Sequence, residues 1–353
     1  MYFFYFYRIK SYKMNSKFLA LVVLLLISSL MFSQKDSIIL KNDHFLIGKI
    51  ESMDKNVFVF ETSYSDSDFK IEWDKVKEIY SDRTFTVSLT DGKRFQSTIN
   101  TDSTDIKKVI LINEGVSFSE DISKVILLDP YGTSFFNRLE FNIDFGFTLT
   151  KANNLRQLSM NSSFLYDSNK WGVYGNYGVI KSTQDKTEDI YRMDAAAGYQ
   201  WFLPKDWYAE FSVNFLSNNE QKIKLRTTLR LGPGYYFTRN NSLVFSASAG
   251  LALNNESSTD PLVDPNTSTE AYLGIYFNKY NINDFSVLTS IVFSPSLTED
   301  GRFRTDFKLD LKYDLPWDLY VKVGTTYNYD SQPAEGATKG DYVFETGFGW
   351  EWN

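Results

Sequence analysis

Cysteine is absent from this chain and histidine occurs once, at His44. The first absence excludes a disulfide framework, thiolate-ligated zinc and a cysteine nucleophile. The second excludes a His-rich metal site, and any Ser-His or Asp-His catalytic pair beyond the N-terminal third. A basic surface is lacking too. Lys and Arg number 37 against 44 Asp and Glu, a net charge of −7. Phosphate recognition needs a basic footprint, so nucleic acid is not an expected partner. Beyond Gln34 no apolar run approaches the roughly 20 residues that a membrane helix requires. If the chain crosses a membrane, it does so with strands.

Aromatic residues are plentiful: 30 Phe, 23 Tyr and 7 Trp make up 17% of 353 residues. Mean hydropathy is nonetheless polar. Many aromatics with a polar average fit sheets whose two faces differ sharply.

The front of the chain reads as an export signal. In "MNSKFLALVVLLLISSLMFSQ", from Met14, basic Lys17 precedes an apolar run from Phe18 to Phe32. That run is short for a span and suits a secretory signal. Cleavage is expected between Ser33 and Gln34, and the true start at Met14, so 1–33 is the signal peptide. An uncleaved anchor helix is the competing reading.

Residues 34–130 read as a β-rich domain with an internal duplication. "DSIILKNDHFLIGKIESM" is strand, turn, strand, and "FTVSLTDGKRFQSTI" repeats the plan around Asp91-Gly92, a hairpin signal. At an offset of 49, Leu40 maps to Leu89, Ile50 to Ile99, Trp73 to Ile122 and Val76 to Val125. His44 lies in the first turn with no second metal ligand in sight. Asp54, Asp66 and Asp68 do not match a calcium loop. Asp260 and Asp264 belong to "TDPLVDPN", a Pro-stiffened solvated loop. No metal or cofactor is expected.

From 137 to 353 the chain becomes about twelve segments of alternating hydrophobicity. The first sets Phe141, Ile143, Phe145 and Phe147 against Asn142, Asp144 and Gly146. "FRTDFKLDLKYD" sets Phe303, Phe307, Leu309 and Leu311 against a ladder of alternating charge, Arg304, Asp306, Lys308, Asp310, Lys312 and Asp314. A soluble sandwich also alternates, but its strands are usually about 5 or 6 residues long. Segments of roughly 10 to 14 match a tilted membrane strand. Tight connections such as "LPKD" and "LPWD" alternate with long polar ones such as "YDSQPAEGATKGD". Trp171, Trp201, Trp207, Trp317, Trp350 and Trp352 fall at segment ends, as interfacial girdles would. These patterns predict an all-β fold: a 12-stranded antiparallel transmembrane barrel preceded by a small periplasmic β-rich domain.

"GFTLTKANN", "LRTTLRLGPGYYF" and "YNYDSQPAEGATKGDYVFETGFGWEW" carry a resemblance to the DUF481 family, a group of outer-membrane proteins some of which are described as salt-induced. The resemblance covers roughly 141–353 and implies fold and location, not an activity. It implies the outer membrane of a Gram-negative bacterium, with the N-terminal domain in the periplasm. The partners that follow are outer-membrane lipid, the barrel-assembly machinery during biogenesis, and a periplasmic partner docking on 34–130.

The lumen-facing charges expected from parity are Arg192, Asp194, Glu210, Lys224, Arg226, Arg230, Arg304, Asp306, Lys308, Asp310, Lys312, Lys322 and Glu345. Asp306 and Asp310 lie about 13 Å apart along a strand, too far to share a substrate atom, so an enzyme is not expected. Two readings stay open. If the charges segregate, the barrel is a narrow porin-like channel for small polar or charged solutes. If facing strands neutralise them, it is a non-conducting structural or partner-docking envelope protein.

Overall fold

The computed structural model describes residues 36–132, 139–150, 155–168, 170–185, 188–282 and 284–352. The export segment and its cleavage position lie outside the described residues.

Nine strands precede the barrel: β1 (Asp36–Leu40), β2 (Phe45–Asp54), β3 (Val57–Glu61), β4 (Phe69–Glu72), β5 (Val76–Leu89), β6 (Arg94–Thr101), β7 (Lys108–Asn113), β8 (Val116–Asp121) and β9 (Val125–Pro130). They form one sheet in the order β4-β3-β2-β1-β5-β6-β7-β8, with β9 paired to both β2 and β5. The pairing repeats at an offset of 49 residues. Ile38 faces Ile79 across β1 and β5, and Val87 faces Leu128 across β5 and β9. A bulge interrupts both ladders at the same place, between Ile39 and Leu40 and between Ser88 and Leu89. Short 3-10 turns at Trp73–Lys75 and Ile122–Lys124 obey the same offset. The halves also exchange partners: the start of β5 pairs with β6, and β9 pairs with β2.

Alternation directs one face of this sheet into a closed core. Ile38, Ile50, Phe58, Phe60, Ile79, Phe85, Val87, Ile99, Leu111 and Leu128 are fully buried. Each such side chain contributes roughly 1.5–3 kcal/mol on burial. One carboxylate sits among them. Asp36 accepts hydrogen bonds from the Ile50 amide at 2.7 Å, from Ser81, and from Arg83 at 2.8 Å.

Twelve strands follow. The first six are β10 (Leu139–Thr150), β11 (Leu155–Asp167), β12 (Trp171–Thr183), β13 (Ile190–Phe202), β14 (Trp207–Asn218) and β15 (Ile223–Asn240). The rest are β16 (Leu243–Ser258), β17 (Asn266–Ile282), β18 (Phe285–Pro295), β19 (Phe303–Asp314), β20 (Leu319–Asp330) and β21 (Gly340–Trp352). Each pairs antiparallel with its neighbour, and β21 returns to β10 with Phe141 opposite Trp352, so the barrel is closed. Closure pairs the first and last strands of the barrel with each other, over Phe141–Phe145 and Phe348–Trp352.

The polarity of this barrel is inverted relative to a soluble sheet. Phe145, Phe147, Trp201, Phe211, Leu231, Leu251, Phe344 and Phe348 are exposed on the outside. Between them Asp144, Arg192, Glu210, Arg226, Thr228, Arg304 and Asn328 are buried. An apolar band of this extent belongs in hydrocarbon rather than water.

Connections at one end are short, at 168–170, 203–206, 241–242 and 315–318. At the other end most are longer, at 184–189, 259–265, 296–302 and 331–339, beside a four-residue connection at 219–222. Two of the short turns set consecutive residues at positive φ, Lys205 and Asp206 at 60° and 61°, Trp317 and Asp318 at 64° and 59°. That is the hairpin geometry whose twist matches the flanking strands. The N-terminal sheet rests on this end. Asn241 donates to the Val125 carbonyl at 2.8 Å, Lys70 pairs with Asp318, Arg94 donates to the Ser168 carbonyl, and Lys55 pairs with Glu140.

Candidate functional site: an ion-paired lumen

Period-2 alternation aims every second side chain of β10–β21 inward, and the barrel's stagger decides which strands meet at a given level. The charge ladder of β19 is met by groups on other strands and by its own alternate charges. Arg304 reaches Glu270 at 2.6 Å and Asn254 at 3.1 Å. Asp306 accepts from Asn328 at 2.7 Å and from Arg230 at 3.3 Å. Lys308 pairs with Asp310 at 3.3 Å, and Lys312 with Asp314 and Glu351.

Some of these contacts cross the lumen. Arg192 on β13 holds Asp194 at 2.7 Å, Asp341 of β21 at 2.8 Å and Asn328 of β20 at 2.6 Å. Through Asn328 and Asp306 the chain of hydrogen bonds continues to Arg230 on β15. Nearer the long-loop end, Arg226 on β15 joins Glu256 at 2.6 Å and Asp330 of β20 at 3.3 Å. Asp330 also takes a two-point contact from Arg302, at 3.1 and 2.7 Å. A second cluster joins Asp144 to Lys322 at 2.8 Å, Asn161 at 2.9 Å and Tyr320 at 3.2 Å, with Glu345 beside Asn161 at 3.3 Å. Acids and bases alternate around the wall instead of segregating to opposite sides. A buried ion is tolerated only when paired and hydrogen-bonded, and these are.

Of the charges expected to face inward, Arg192, Asp194, Glu210, Arg226, Arg230, Arg304, Asp306, Lys308, Asp310, Lys312, Lys322 and Glu345 line a mid-barrel cavity of about 590 Å³. Lys224 does not. A bulge breaks the β15–β16 register between Ile223 and Leu225, so strict alternation fails there: Ile223 is buried and Lys224 is exposed. Asp330, Asp341, Glu256 and Arg302 are members of the ion-pair network that alternation alone did not single out. They sit at strand ends or just outside, where parity is weakest as a guide.

A second cavity, of about 350 Å³, lies between the N-terminal sheet and the barrel mouth. Tyr174, Glu210, Tyr276 and Asn278 line both cavities and form the layer between them. Tyr174 donates to Glu210 at 2.6 Å. Glycines leave room for the tyrosine rings. A Cβ on Gly198 would stand 2.2 Å from the Tyr174 ring, and one on Gly234 would stand 2.1 Å from Tyr208.

The six expected interface tryptophans all fall at the short-turn end. Trp201, Trp207, Trp317, Trp350 and Trp352 are exposed and Trp171 is half-buried. Ring contacts tie Tyr166, Trp171 and Tyr199, then Trp207, Tyr235, Phe237 and Phe245. At the long-loop end the ring cluster is Phe293, Phe303 and Tyr329, with no tryptophan. His44 is exposed and its ring contacts only Asn42 among the described residues.

A closed antiparallel barrel with an apolar exterior and a charged, paired interior defines a membrane β-barrel protein. Its sequence places it more closely: the chain belongs to the DUF481 family, described as proteins of unknown function, whose model matches residues 143–352. Among curated proteins none matches this chain. The chain is similar to the NanC porin at 10% identity and a TM-score of 0.35, covering 60% of this chain and 97% of that one. It is similar to the β domain of the Bordetella autotransporter Brka at 10% identity and a TM-score of 0.34, covering 61% and 98%. The translocator domain of the autotransporter NalP from Neisseria meningitidis is similar at 10% identity and a TM-score of 0.34, covering 61% and 86%.

Proposed function

We propose that this protein is an outer-membrane barrel, closed at rest, with its N-terminal sheet on the periplasmic side. The observation that carries this reading is the cross-lumen contact of Arg192 with Asp341 and Asn328, strands away on the far wall. Together with Arg226–Asp330 it lays charged side chains across the path that a solute would take. The sheet resting on the short-turn end supports a periplasmic placement, because short turns face that side in barrels of this kind. The role is non-enzymatic on this reading, since Asp306 and Asp310 are engaged by Arg230, Asn328 and Lys308. The exposed surface of residues 36–130 is then free to dock a periplasmic partner, and the C-terminal strand to engage the assembly machinery.

A second reading, a narrow channel for small polar or charged solutes, draws its support from the mid-barrel cavity of about 590 Å³ and its polar walls. Conductance of the refolded full chain in planar bilayers separates the two. The closed reading expects no steady current from the native chain. A steady open level, selective for ions of one sign, overturns it in favour of the channel. Protease added from the periplasmic side should cut within 36–130, and cleavage only from the outer surface overturns the orientation.

A further inference from the structure

The turn between β2 and β3 is Lys55-Asn56, with both residues at positive φ, 46° and 70°. That makes a tight two-residue hairpin. Its tip reaches into the barrel mouth. The Lys55 ammonium pairs with Glu140 of β10 and stands 5.6 Å from the centre of the Tyr280 ring of β17. Those strands are far apart in the wall, with β18–β21 between them on one side and β11–β16 on the other. One side chain of the sheet thus touches two distant parts of the rim, which puts it within the mouth and not beside it.

Other contacts complete the circuit of the rim. Arg94 donates to the Ser168 carbonyl in the turn after β11 and lies over the Phe202 ring at the end of β13, at 4.9 Å. Gly92, at φ 79°, packs so near the turn after β13 that a Cβ would stand 2.6 Å from Oδ1 of Asp206. Asn241, in the turn after β15, donates to the Val125 carbonyl, and Asp318, in the turn after β19, pairs with Lys70. Together with Tyr280 near the end of β17 and Glu140 at the start of β10, each connection at this end, or the strand beside it, is met by the sheet.

The seat is polar. Three bases of the sheet meet three acids of the rim: Lys55 with Glu140, Lys70 with Asp318, and Arg94 with Asp167 at 4.0 Å. Asp54 of the sheet and Arg239 of the barrel line the cavity of about 350 Å³ beneath the tip, so both parts carry charge of both signs there. The apolar core of the sheet is complete within residues 38–128 and takes in no barrel side chain among the described residues. Only a large hydrophobic interface holds two parts of a chain rigidly together, and relative motion is the rule across a polar one.

We propose that the N-terminal sheet is a removable stopper for the short-turn mouth, with the Lys55-Asn56 hairpin as its tip. Seated, it separates the lumen from the solution at that end. Lifted, it opens the mouth. This goes beyond the closed-barrel reading, which rests on Arg192 and Asp341 within the lumen, and the two can fail separately.

The experiment uses the full chain refolded into phosphatidylcholine vesicles, with the side that bears the sheet identified by protease. The chain has no cysteine, so Asn278→Cys supplies a single thiol in the layer between the two cavities. A charged, membrane-impermeant thiosulfonate is added on the side of the sheet. Labelling should be slow in Asn278→Cys alone and at least tenfold faster when Lys55→Gln and Lys70→Gln are added, with heat-modifiable gel mobility unchanged. Equal rates overturn the proposal. The reverse test locks the stopper in its seat. Lys70→Cys and Asp318→Cys are joined by a reducible bismaleimide in the Arg192→Ala/Asp341→Ala barrel. Its current should fall at least tenfold on bridging and return on reduction. A current indifferent to the bridge also overturns the proposal. If no current flows before bridging, the labelling rates decide.

Discussion

Arg192 and Asp341 meet across the lumen, the Nη1 of one 2.8 Å from the Oδ2 of the other, on strands that are not neighbours in the barrel. Asp341 has one further support, the side-chain amide of Asn218 at 2.7 Å. Removing the arginine therefore leaves Asp341 with Asn218 and takes hydrogen bonds from Asp194 and the Asn328 carbonyl. Arg192→Ala should cost roughly 3–5 kcal/mol, as breaking buried pairs does. Arg192→Ala/Asp341→Ala should cost less than the sum of the single changes by about 1–3 kcal/mol. Urea unfolding in detergent measures both. Additive losses would show that the contact carries no coupling. The double variant is also the one expected to pass current, since it removes the Arg192–Asp341 contact across the lumen.

The N-terminal core has its own buried pair. Asp36 is fully buried and satisfies the Ile50 amide, Ser81 and Arg83. Asp36→Ala leaves Arg83 unpaired beside an apolar core, at a cost of roughly 3–5 kcal/mol. Trp73, buried in that core, reports the loss by its fluorescence. The expected outcome is a sheet that unfolds at lower urea than the native one, while the barrel keeps its heat-modifiable gel mobility. A barrel that fails at the same point would mean that the two parts unfold as one.

Gly198 and Gly234 accept the rings of Tyr174 and Tyr208 at distances that no Cβ could share. Gly198→Ala and Gly234→Ala should each displace a ring and cost about 1–3 kcal/mol, as overpacking does. Pairing either with Tyr→Ala at the facing position should recover part of the refolding yield. No recovery would mean that the glycine is needed by the backbone and not by the ring.

The pair of Lys55 and Glu140 is one of the contacts between the sheet and the barrel. Burial alone lowers the pKa of the Lys55 ammonium, but Glu140, Asp54 and Tyr280 outweigh that and hold it well above the ordinary lysine value of 10.5. A base with a raised folded-state pKa contributes its full stability below the unfolded value and loses it as pH rises through the folded one. The Lys55 contribution should therefore be constant from neutral pH to about 10.5 and fade only above that. Lys55→Gln should raise the rate of proteolysis of the sheet about tenfold at pH 8, a loss on the order of 1.4 kcal/mol. An unchanged rate in the variant would assign the docking to Arg94, Asn241 and Lys70 instead.

Most of the architecture was legible because strands obey a two-residue period, and lipid and lumen demand opposite chemistry at alternate positions. The ladder Arg304 to Asp314 could be placed on one face by that rule alone. Its partners could not. Whether Arg304 meets Glu270, or Asp306 meets Arg230, depends on the stagger of strands around the barrel, which no single segment encodes. Lys224 was misplaced for a related reason: one bulge changes the parity of the residues around it, and nothing in "QKIKLR" announces it. The tryptophans lie at strand ends or in the turn beside them, and only the topology shows that all six are at the same end of the barrel.

The barrel closes on its shortest ladder. β10 and β21 share five paired positions, from Phe141–Trp352 to Phe145–Phe348, whereas β10 and β11 share twelve. Toward the long loops, the side of β21 that faces β10 has no partner in this register, although Gly340 to Thr346 stay paired to β20. These two strands are also the most distant in sequence, so their pairing closes the longest loop of any ladder in the barrel. A seam that holds by the fewest backbone pairs is the one expected to part first. Amide exchange should be fastest along β21 between Gly340 and Thr346, and a lipid or a neighbouring strand that enters this barrel sideways would enter there.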